Sequence, residues 1–492
     1  MTQNANFSFH LVRAKHNKMP NRFYPNLALP TLASVLKDKC MVEIHDIGSD
    51  KNSYVEHVKE TKPNVIGFTS YMDDFGEVLT LASECKKVSE KTFVVVGGPH
   101  ASIVGDSIKA MSKSIDLLVV GEGELAIMNL CNELETRSAS YSDKPAVLRS
   151  NNFYDMRFAL PPSWDLYDRT PFFQILPVET SRGCVYACKY CGEGKMYGIT
   201  VRAKSKEQVI RELKINIERY ETRFFRFTDS TFNFTKKRFE EICRAFIDVK
   251  LGIHWSAYVR FETIEKNMLA LAKDAGCEAL FFGVESGSDA IFKPMRKSKV
   301  NAKYIQEILA AARETGLHTH CNFIVGLPDE TIQTTNETIQ LIKEINPESV
   351  QISTFFVVPQ TEVHIHAERY GIEFTDPEWI SNLHRFFGDP YYSYFRHKTM
   401  TQNDMRVSYA AMKNEVDKID SIFWNLQDHF LLSWLSAGGS EAGLKKVWNK
   451  PEKYLNKIEL EQFEIFKGIK NTDVEDGENG IKNIKELAVK LG

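Results

Sequence analysis

Short apolar runs alternate with stretches of helical spacing along most of the chain. In the first 135 residues the runs are Phe7–Val12, Met41–Ile47, Val65–Phe68, Phe93–Val96 and Leu117–Val120. Between them Leu27–Leu36, Tyr54–Thr61, Glu77–Ser89, Ile103–Met111 and Glu124–Glu133 carry helical spacing. Five β units joined by crossover helices predict a parallel, doubly wound sheet, whose ligand would sit beyond the carboxyl ends of the strands. Loops rich in glycine and hydroxyls fall at those ends: Gly67–Tyr71, Gly97–Ser102 and Gly121–Glu124. Glycine there lets backbone approach a large flat or phosphorylated ligand.

A second alternating series follows. Its strands are Gln174–Thr180, Phe224–Thr228, His254–Arg260, Ala279–Glu285, His320–Leu327 and Val350–Val357. The helices are Lys206–Tyr220, Lys236–Val249, Ile264–Ala275, Ala302–Thr315 and Glu330–Ile345. In the first, Val209, Leu213 and Ile217 form an apolar stripe that reads as core. Six such units predict a partial parallel barrel with its chemistry at the carboxyl ends of the strands. The expected class is therefore α/β. The expected parts are a doubly wound sheet over residues 1–135, a linker over 136–172, a partial (β/α)6 barrel over 173–375 and a mainly helical domain over 376–492. The helical domain is expected to cap the barrel mouth and select the substrate. Its aromatic cluster at 386–395 reads as core, and Glu452–Gly492 reads as a solvated helical tail.

Composition narrows the function classes. The net charge of −3 does not suit bulk nucleic-acid binding. No apolar run reaches the ~18 residues of a membrane span, and Met1–Phe9 lacks the regions of a signal peptide. A cytoplasmic enzyme is the expectation. Nine cysteines are too sparse for a disulfide scaffold. Cys40, Cys85, Cys131, Cys243, Cys277 and Cys321 read as buried free thiols.

The other three stand apart. Cys184, Cys188 and Cys191 lie in a C-x3-C-x2-C run, with Gly183 before it and Gly192 after it. A four-iron cluster normally takes four thiolates, so three leave one iron open to a non-protein ligand. A structural zinc site would show a fourth Cys or His at similar spacing, and none lies nearby. The motif resembles that of the radical S-adenosylmethionine (SAM) superfamily. The N-terminal region is similar to the cobalamin-binding domain that precedes many radical SAM domains. That likeness rests on Pro25–Leu36, Val65–Ser70, Val94–Ala101 and Val119–Glu124, and Pro162–Tyr167 resembles the segment that often joins the two.

The resemblance implies a [4Fe-4S] cluster on the three cysteines, bound SAM, and cobalamin. It assigns corrinoid contacts to Thr69, Ser70, Gly97, Gly98, Pro99, His100, Gly121 and Glu122. It assigns Asp229 to the methionine end of SAM, Arg260, Glu285 and Ser286 to its carboxylate and ribose, and Gly326 and Leu327 to the adenine. A catalytic side chain is not identified. No histidine is expected below cobalt. Glu43-Ile-His45-Asp-Ile-Gly48 resembles the cobalt-ligating motif of other cobalamin proteins but ends the second strand, so His45 reads as an ordinary strand-end histidine. Tyr71 and Met72 are the candidates to face the metal. After the sixth strand, Gln360 stands where the family's turn has glycine, which implies a differently shaped turn.

By resemblance the chain is a cobalamin-dependent radical SAM methyltransferase. It would methylate an unactivated carbon through a 5′-deoxyadenosyl radical and methylcobalamin, be oxygen-sensitive, and take electrons from a flavodoxin- or ferredoxin-type donor. The alternatives are radical cyclisation, rearrangement or oxidation using cobalamin without methyl transfer, and an N-terminal sheet that binds no corrinoid. A methylthiotransferase would need three cluster cysteines in the N-terminal loops, where Cys40, Cys85 and Cys131 do not fall. A non-catalytic corrinoid or electron carrier would not need an open three-cysteine motif. A small-molecule substrate is expected; its identity and the oligomeric state are not legible.

Overall fold

The computed structural model describes residues 4–14, 25–47, 50–135, 146–150, 153–169, 174–296, 300–385, 394–419, 421–423, 430–448, 451–455, 463–464 and 485–490. Its first sheet is built from β1 (Asn4–Ala14), α1 (Ala28–Leu36), β2 (Cys40–Ile47), α2 (Lys51–Thr61), β3 (Val65–Thr69), α3 (Phe75–Val88), β4 (Phe93–Gly97), α4 (Pro99–Val104), β5 (Leu117–Val120), α5 (Gly123–Glu135) and β6 (Ala146–Arg149). The strands are all parallel in the order β2-β1-β3-β4-β5-β6. Both faces are covered, as a parallel sheet requires. Phe9, Leu11, Val65, Val95 and Val119 pack toward α1 and α5, while Val12, Ile66, Phe68, Val94 and Val96 pack toward α2, α3 and α4. The sixth strand lies inside the stretch that reads as linker. It is four residues long and pairs along β5, so its strand character comes from the sheet edge rather than from its own pattern.

Farther along the linker, Trp164 and Tyr167 are buried in the core that joins both halves of the chain. Ser163 N–H donates to Pro30 O at 2.9 Å, and the Tyr167 hydroxyl bonds Asp46. This segment thus docks on the first sheet.

The second sheet comprises β7 (Ile175–Val178), a hairpin of β8 (Ser181–Arg182) and β9 (Arg202–Ala203) with α6 (Glu193–Met196) between, then α7 (Lys206–Tyr220), β10 (Phe224–Phe227), α8 (Lys236–Asp248), β11 (His254–Val259), α9 (Lys266–Asp274), β12 (Cys277–Glu285), α10 (Asp289–Arg296), α11 (Ala302–Glu314), β13 (His318–Val325), α12 (Ile332–Ile345) and β14 (Ser349–Thr354). Its order, β7-β10-β11-β12-β13-β14, is sequential and parallel. Phe225, Phe227, Trp255, Ala257, Phe282, Val284, Cys321 and Phe323 face the helices. Alternate residues such as Ile175, Ala279 and Phe281 face inward.

The C-terminal region departs from the expectation. After α13 (Glu362–Ile365), β15 (Ile372–Phe374), α14 (Trp379–Asn382), β16 (Phe395–His397) and α15 (Gln402–Lys418), the strand β17 (Ile422–Phe423) adds a seventh member beside β14. Leu431, Leu432 and Trp434 of α16 (Phe430–Ser436) and Leu444, Val447 and Trp448 of α17 (Glu441–Trp448) then pack on Ile175, Ala279 and Phe281. Ile175 and Ala279 stand in the amino-terminal halves of their strands and Phe281 at the middle of β12. The helices therefore plug the end of the barrel opposite the cysteine loop rather than capping its mouth, because the inward side chains there are apolar. In the aromatic cluster, Tyr394 and Phe395 are buried, and Tyr394 stacks on Trp379 at 4.8 Å. Phe386, Phe387, Tyr391 and Tyr392 lie outside the described residues, as do Trp424 and most of the tail after 455.

Candidate active site

The cysteine loop leaves the hairpin strand β8 through Gly183, whose φ is +92°. A Cβ there would lie 2.5 Å from Thr200 O, so only glycine lets the chain pass. The loop is tied by Cys184 N–H to Gly198 O (3.2 Å), Lys189 N–H to Met295 O (3.0 Å) and Cys191 N–H to Cys188 O (3.2 Å). All three cysteines are free thiols; Cys184 is buried and Cys188 and Cys191 are half-buried. Thr231 Oγ1 lies 3.6 Å from Cys184 Sγ. Arg260 Nη1 donates to Cys188 Sγ at 3.3 Å, and the guanidinium lies 3.7 Å over the Tyr186 ring. Desolvation pushes the Cys191 thiol up, and the Glu193 carboxylate adds to it. A coordinated iron would deprotonate such a thiol outright. Three thiols on one loop, with a cation and a hydroxyl beside their sulfurs, fit an iron–sulfur cluster, whose potential responds to such neighbours. Arg260 thus stands against the cluster loop; its other nitrogens bond Glu262, at 2.7 and 3.1 Å.

Behind the loop lies a buried charged network. Asp229, 1% exposed, accepts from Thr180 N–H (2.7 Å), Thr180 Oγ1 (2.6 Å) and Ser181 Oγ (2.6 Å). Both its oxygens are committed to the strand that leads into the cysteines, so its geometry is that of a positioning group. Arg182 pairs with Glu124 (2.6 Å) and Glu179 (2.8 Å), and approaches Glu122 at 3.6 Å. Arg202 Nη1 donates to Glu122 at 2.9 Å, and Tyr154 N–H donates to it at 2.6 Å. The Glu122 carboxylate therefore ties the first sheet to the hairpin and is not free to meet a corrinoid.

The remaining N-terminal candidates converge at the carboxyl edge of the first sheet. Gly98 has φ +94°, and a Cβ on it would lie 2.8 Å from Ser70 N and from Thr69 Oγ1. Ser70 N–H and Oγ–H both donate to Gly97 O, at 2.9 and 2.7 Å. Gly121, φ +98°, receives Ser102 Oγ at its N–H (3.0 Å). Pro99 opens α4. His100 departs from its expected role: it is 3% exposed, its ring sits 4.4 Å from Phe75, and burial pushes its pKa down to about 3. The edge that results is backbone rather than side chain, which suits a large flat ligand. Arg13, buried near the end of β1, faces the buried Asp74 carboxylate at 3.8 Å, and its Nε and Nη1 make no hydrogen bond among the described residues. Tyr71 accepts from Asn26 Nδ2 at 3.0 Å and lies under Arg13, while Met72 packs against the helix-side core.

On the barrel, Glu285 ends β12 with φ +65°, beside a register shift in the ladder. A left-handed conformation is uncommon for glutamate and marks strain at a strand end. The Ser286 hydroxyl is 3.3 Å from Thr338 Oγ1 on α12, which turns it toward the helix layer. The amides of Gly326 and Leu327 both donate to Glu330. Burial pushes Glu330 up to about 7 against those bonds. The apposition of the two halves is the central feature. A Cβ on Gly192, directly after the last cysteine, would meet Val358 at 3.1 Å and Ile103 of α4 at 3.5 Å. Gln360 Nε2 donates to Ile103 O at 2.6 Å. The cysteine loop and the glycine-rich edge of the first sheet therefore share one mouth.

Two family models match the chain, the B12 binding domain over residues 21–131 and the Radical SAM superfamily over 178–342. The chain belongs to the cobalamin-binding radical SAM family. An uncharacterized methyltransferase of Pyrococcus horikoshii is 29% identical over 366 residues, which cover 70% of this radical SAM protein and 78% of that one. The anaerobic magnesium-protoporphyrin IX monomethyl ester cyclase of Rubrivivax gelatinosus is 24% identical, over 60% of this chain and 56% of its own, so the chain spans little more than half of that relative. Among solved structures, the radical SAM methyltransferase TsrM from Kitasatospora setae, with cobalamin and [4Fe-4S] cluster bound, has a TM-score of 0.69 at 17% identity, covering 92% of this chain and 98% of its own. OxsB, a cobalamin-dependent SAM radical enzyme, has a TM-score of 0.63 at 16% identity, with coverage of 98% and 79%. Both share the fold. Three residues around the site escape sequence reasoning: Arg182, Thr231 and Glu330. Arg182 directly precedes Gly183 at the start of the cysteine loop, and that adjacency was the available signal.

Proposed function

We propose that this radical SAM protein methylates an unactivated carbon of a small molecule, with cobalamin as the methyl carrier. The single observation that carries the proposal is the close approach of Gly192 to Ile103, where an added Cβ would lie 3.5 Å from the isoleucine side chain, so that the three-thiol loop lies against the carboxyl edge of the B12-type sheet. Relatives named as methyltransferases support it. When bound, the cluster and SAM supply a hydrogen-abstracting radical and the corrinoid supplies the methyl group.

The chain's own residues hold and enclose these groups. Cys184, Cys188 and Cys191 are the cluster ligands, with Arg260 and Thr231 beside their sulfurs. Glu285 would face the ribose of SAM and the loop at Gly326–Leu327, whose amides are held by Glu330, would line the adenine side, with Ser286 and Asp229 supporting the walls. Gly97, Gly98, Pro99 and Gly121 would present backbone to the corrinoid, while the buried Thr69 and Ser70 support that edge from behind. The network of Arg182, Arg202, Glu122, Glu124 and Glu179 ties the first sheet to the hairpin that leads into the cysteines. The described residues 355–385 and 394–397, which reach the mouth through His397 Nε2 on Leu327 O (3.0 Å), would shape the substrate side. An external flavodoxin- or ferredoxin-type protein supplies electrons. Among the described residues no helix is long and apolar enough to cross a membrane.

The test is anaerobic reconstitution with iron, sulfide and hydroxocobalamin, then removal of free cofactor and elemental analysis. We expect about four irons and one cobalt per chain. C184A/C188A/C191A should lose the iron and keep the cobalt. Iron without cobalt would remove the methyl carrier from the proposal. With substrate candidates and methyl-deuterated SAM, label in the product supports methyl transfer; a ring-closed, unlabelled product would assign the chain to the chemistry of its cyclase relatives.

A further inference from the structure

We propose that His10, Glu43, His45 and His57 form a structural site for a divalent transition-metal ion of the zinc type, separate from the cysteine loop. The four come from three elements at one edge of the first sheet: His10 from β1, Glu43 and His45 from β2, and His57 from α2. Their ligand atoms all lie within 4.8 Å of one another. Glu43 Oε2 is 2.8 Å from His57 Nε2, 3.1 Å from His45 Nε2 and 3.6 Å from His10 Nε2. Ligands bound at about 2.0–2.2 Å around a tetrahedral ion stand roughly 3.3–3.5 Å apart. The observed spacings bracket that edge.

A second observation points the same way. His10 is 1% exposed, and its Nε2 has no hydrogen-bond partner among the described residues. A buried ring nitrogen left unpaired costs about 1–3 kcal/mol. The other ring nitrogen, Nδ1, lies 3.3 Å from the Tyr54 hydroxyl. That is the usual arrangement of a ligating histidine, whose outer nitrogen is fixed by a neighbour while the inner one faces the metal. The rings of His45 and His57 lie 5.0 and 5.4 Å from that of His10. Three imidazoles this close cannot all be protonated around one carboxylate without repulsion.

The donor set decides the class of ion. Three imidazoles and one carboxylate suit zinc or a neighbouring divalent transition metal, whereas calcium and magnesium take oxygen ligands. Four protein ligands close the shell, which makes the site structural rather than catalytic. Bound there, an ion would fasten the edge strand β2 and helix α2 to β1, at the side of the sheet where pairing ends. His45 therefore gains a role that its resemblance to a cobalt ligand does not give it.

The test uses the full chain with its iron cluster reconstituted, so that the cysteine thiols are occupied. The protein is incubated with zinc chloride, desalted and analysed for zinc, iron and secondary structure. We expect about one zinc per chain in the wild type. The double variant H45Q/H57Q should retain about tenfold less, with iron content and circular dichroism unchanged. Zinc should raise the melting temperature of the wild type and leave that of the variant where it was. Equal zinc retention in both proteins, or none in the wild type, overturns the site. Should the variant fail to fold, zinc-edge absorption spectroscopy of the wild type decides alone. A shell of nitrogen and oxygen supports the proposal, and a sulfur neighbour would place the ion on cysteine and sink it.

Discussion

Gln360 shows how one residue can break a local rule and be repaid by a contact. The sequence leads one to expect a reshaped turn where glycine is missing. The structure instead keeps a left-handed turn, with Gln360 at φ +67°. Its side-chain amide crosses to the first sheet and donates to Ile103 O at 2.6 Å. Strain of about 1 kcal/mol or more is thus offset by a hydrogen bond of about 1 kcal/mol. Q360A loses the bond and keeps the strain; Q360G loses both. We expect Q360A to be less stable than Q360G by about 1 kcal/mol in urea unfolding. Equal stability would remove the strain argument. Glu330 gives a pH prediction of its own. Burial lifts its folded pKa from 4.5 to about 7. A carboxyl raised in this way stabilises the fold fully below about pH 4.5, and that contribution is lost as pH climbs through 7. The loss is about 3 kcal/mol at about 1.4 kcal/mol per unit. E330Q cannot titrate, so its stability should vary less than the wild type's between pH 4.5 and 8. Because Glu330 holds the Gly326 and Leu327 amides, the same variant tests whether that loop supports SAM.

At the scale of elements, the joint between the two sheets rests on the short hairpin of β8 and β9. Arg182 sits there among Glu122, Glu124 and Glu179, with its side chain 10% exposed. Removing one partner from a buried charged network leaves the others uncompensated, typically at 3–5 kcal/mol. R182A should lose about that much stability, as read by chemical denaturation, and should retain less cobalamin, because the loop at Gly121–Glu124 would lose its anchor. R182K should recover only part of each, since lysine cannot reproduce the forked contacts. Most strands of both sheets were legible because parallel strands buried on both faces are written as near-continuous apolar runs, as in Val94-Val-Val96 and Leu117–Val120. The strands at Ala146–Arg149 and Ile422–Phe423 were not, because each takes its pairing from a neighbour and is too short to show a period. The site was legible only as far as strand ends. Asp229, Ser286 and Glu122 fall just past the carboxyl ends of β10, β12 and β5, as the strand pattern leads one to expect. The pattern does not say which way they turn, and that direction is set by partners such as Thr180, Thr338 and Arg202, distant in sequence.

For the whole molecule, the two ends of the barrel carry separate duties. At the carboxyl end the cysteine loop meets the first sheet. At the amino end α16 and α17 fill the lumen with apolar side chains, and Glu441 reaches in to His318 at 2.9 Å. Burial would lift the Glu441 carboxyl, yet the His318 contact and Lys445 hold it down at about 2. Trp434 is fully buried in this plug, with Nε1 donating to Ser440 O at 3.0 Å. Truncating a buried tryptophan to alanine costs about 3–5 kcal/mol. If the plug only closes the barrel, W434A should lower stability by that amount while each folded chain still takes up its iron and cobalamin in wild-type ratio. Were the plug instead part of the mouth, cofactor content would fall together with stability. Unfolding in urea, paired with iron and cobalt analysis of the native fraction, separates the two, and the location of Ile175 and Ala279 in the amino-terminal halves of their strands favours the first.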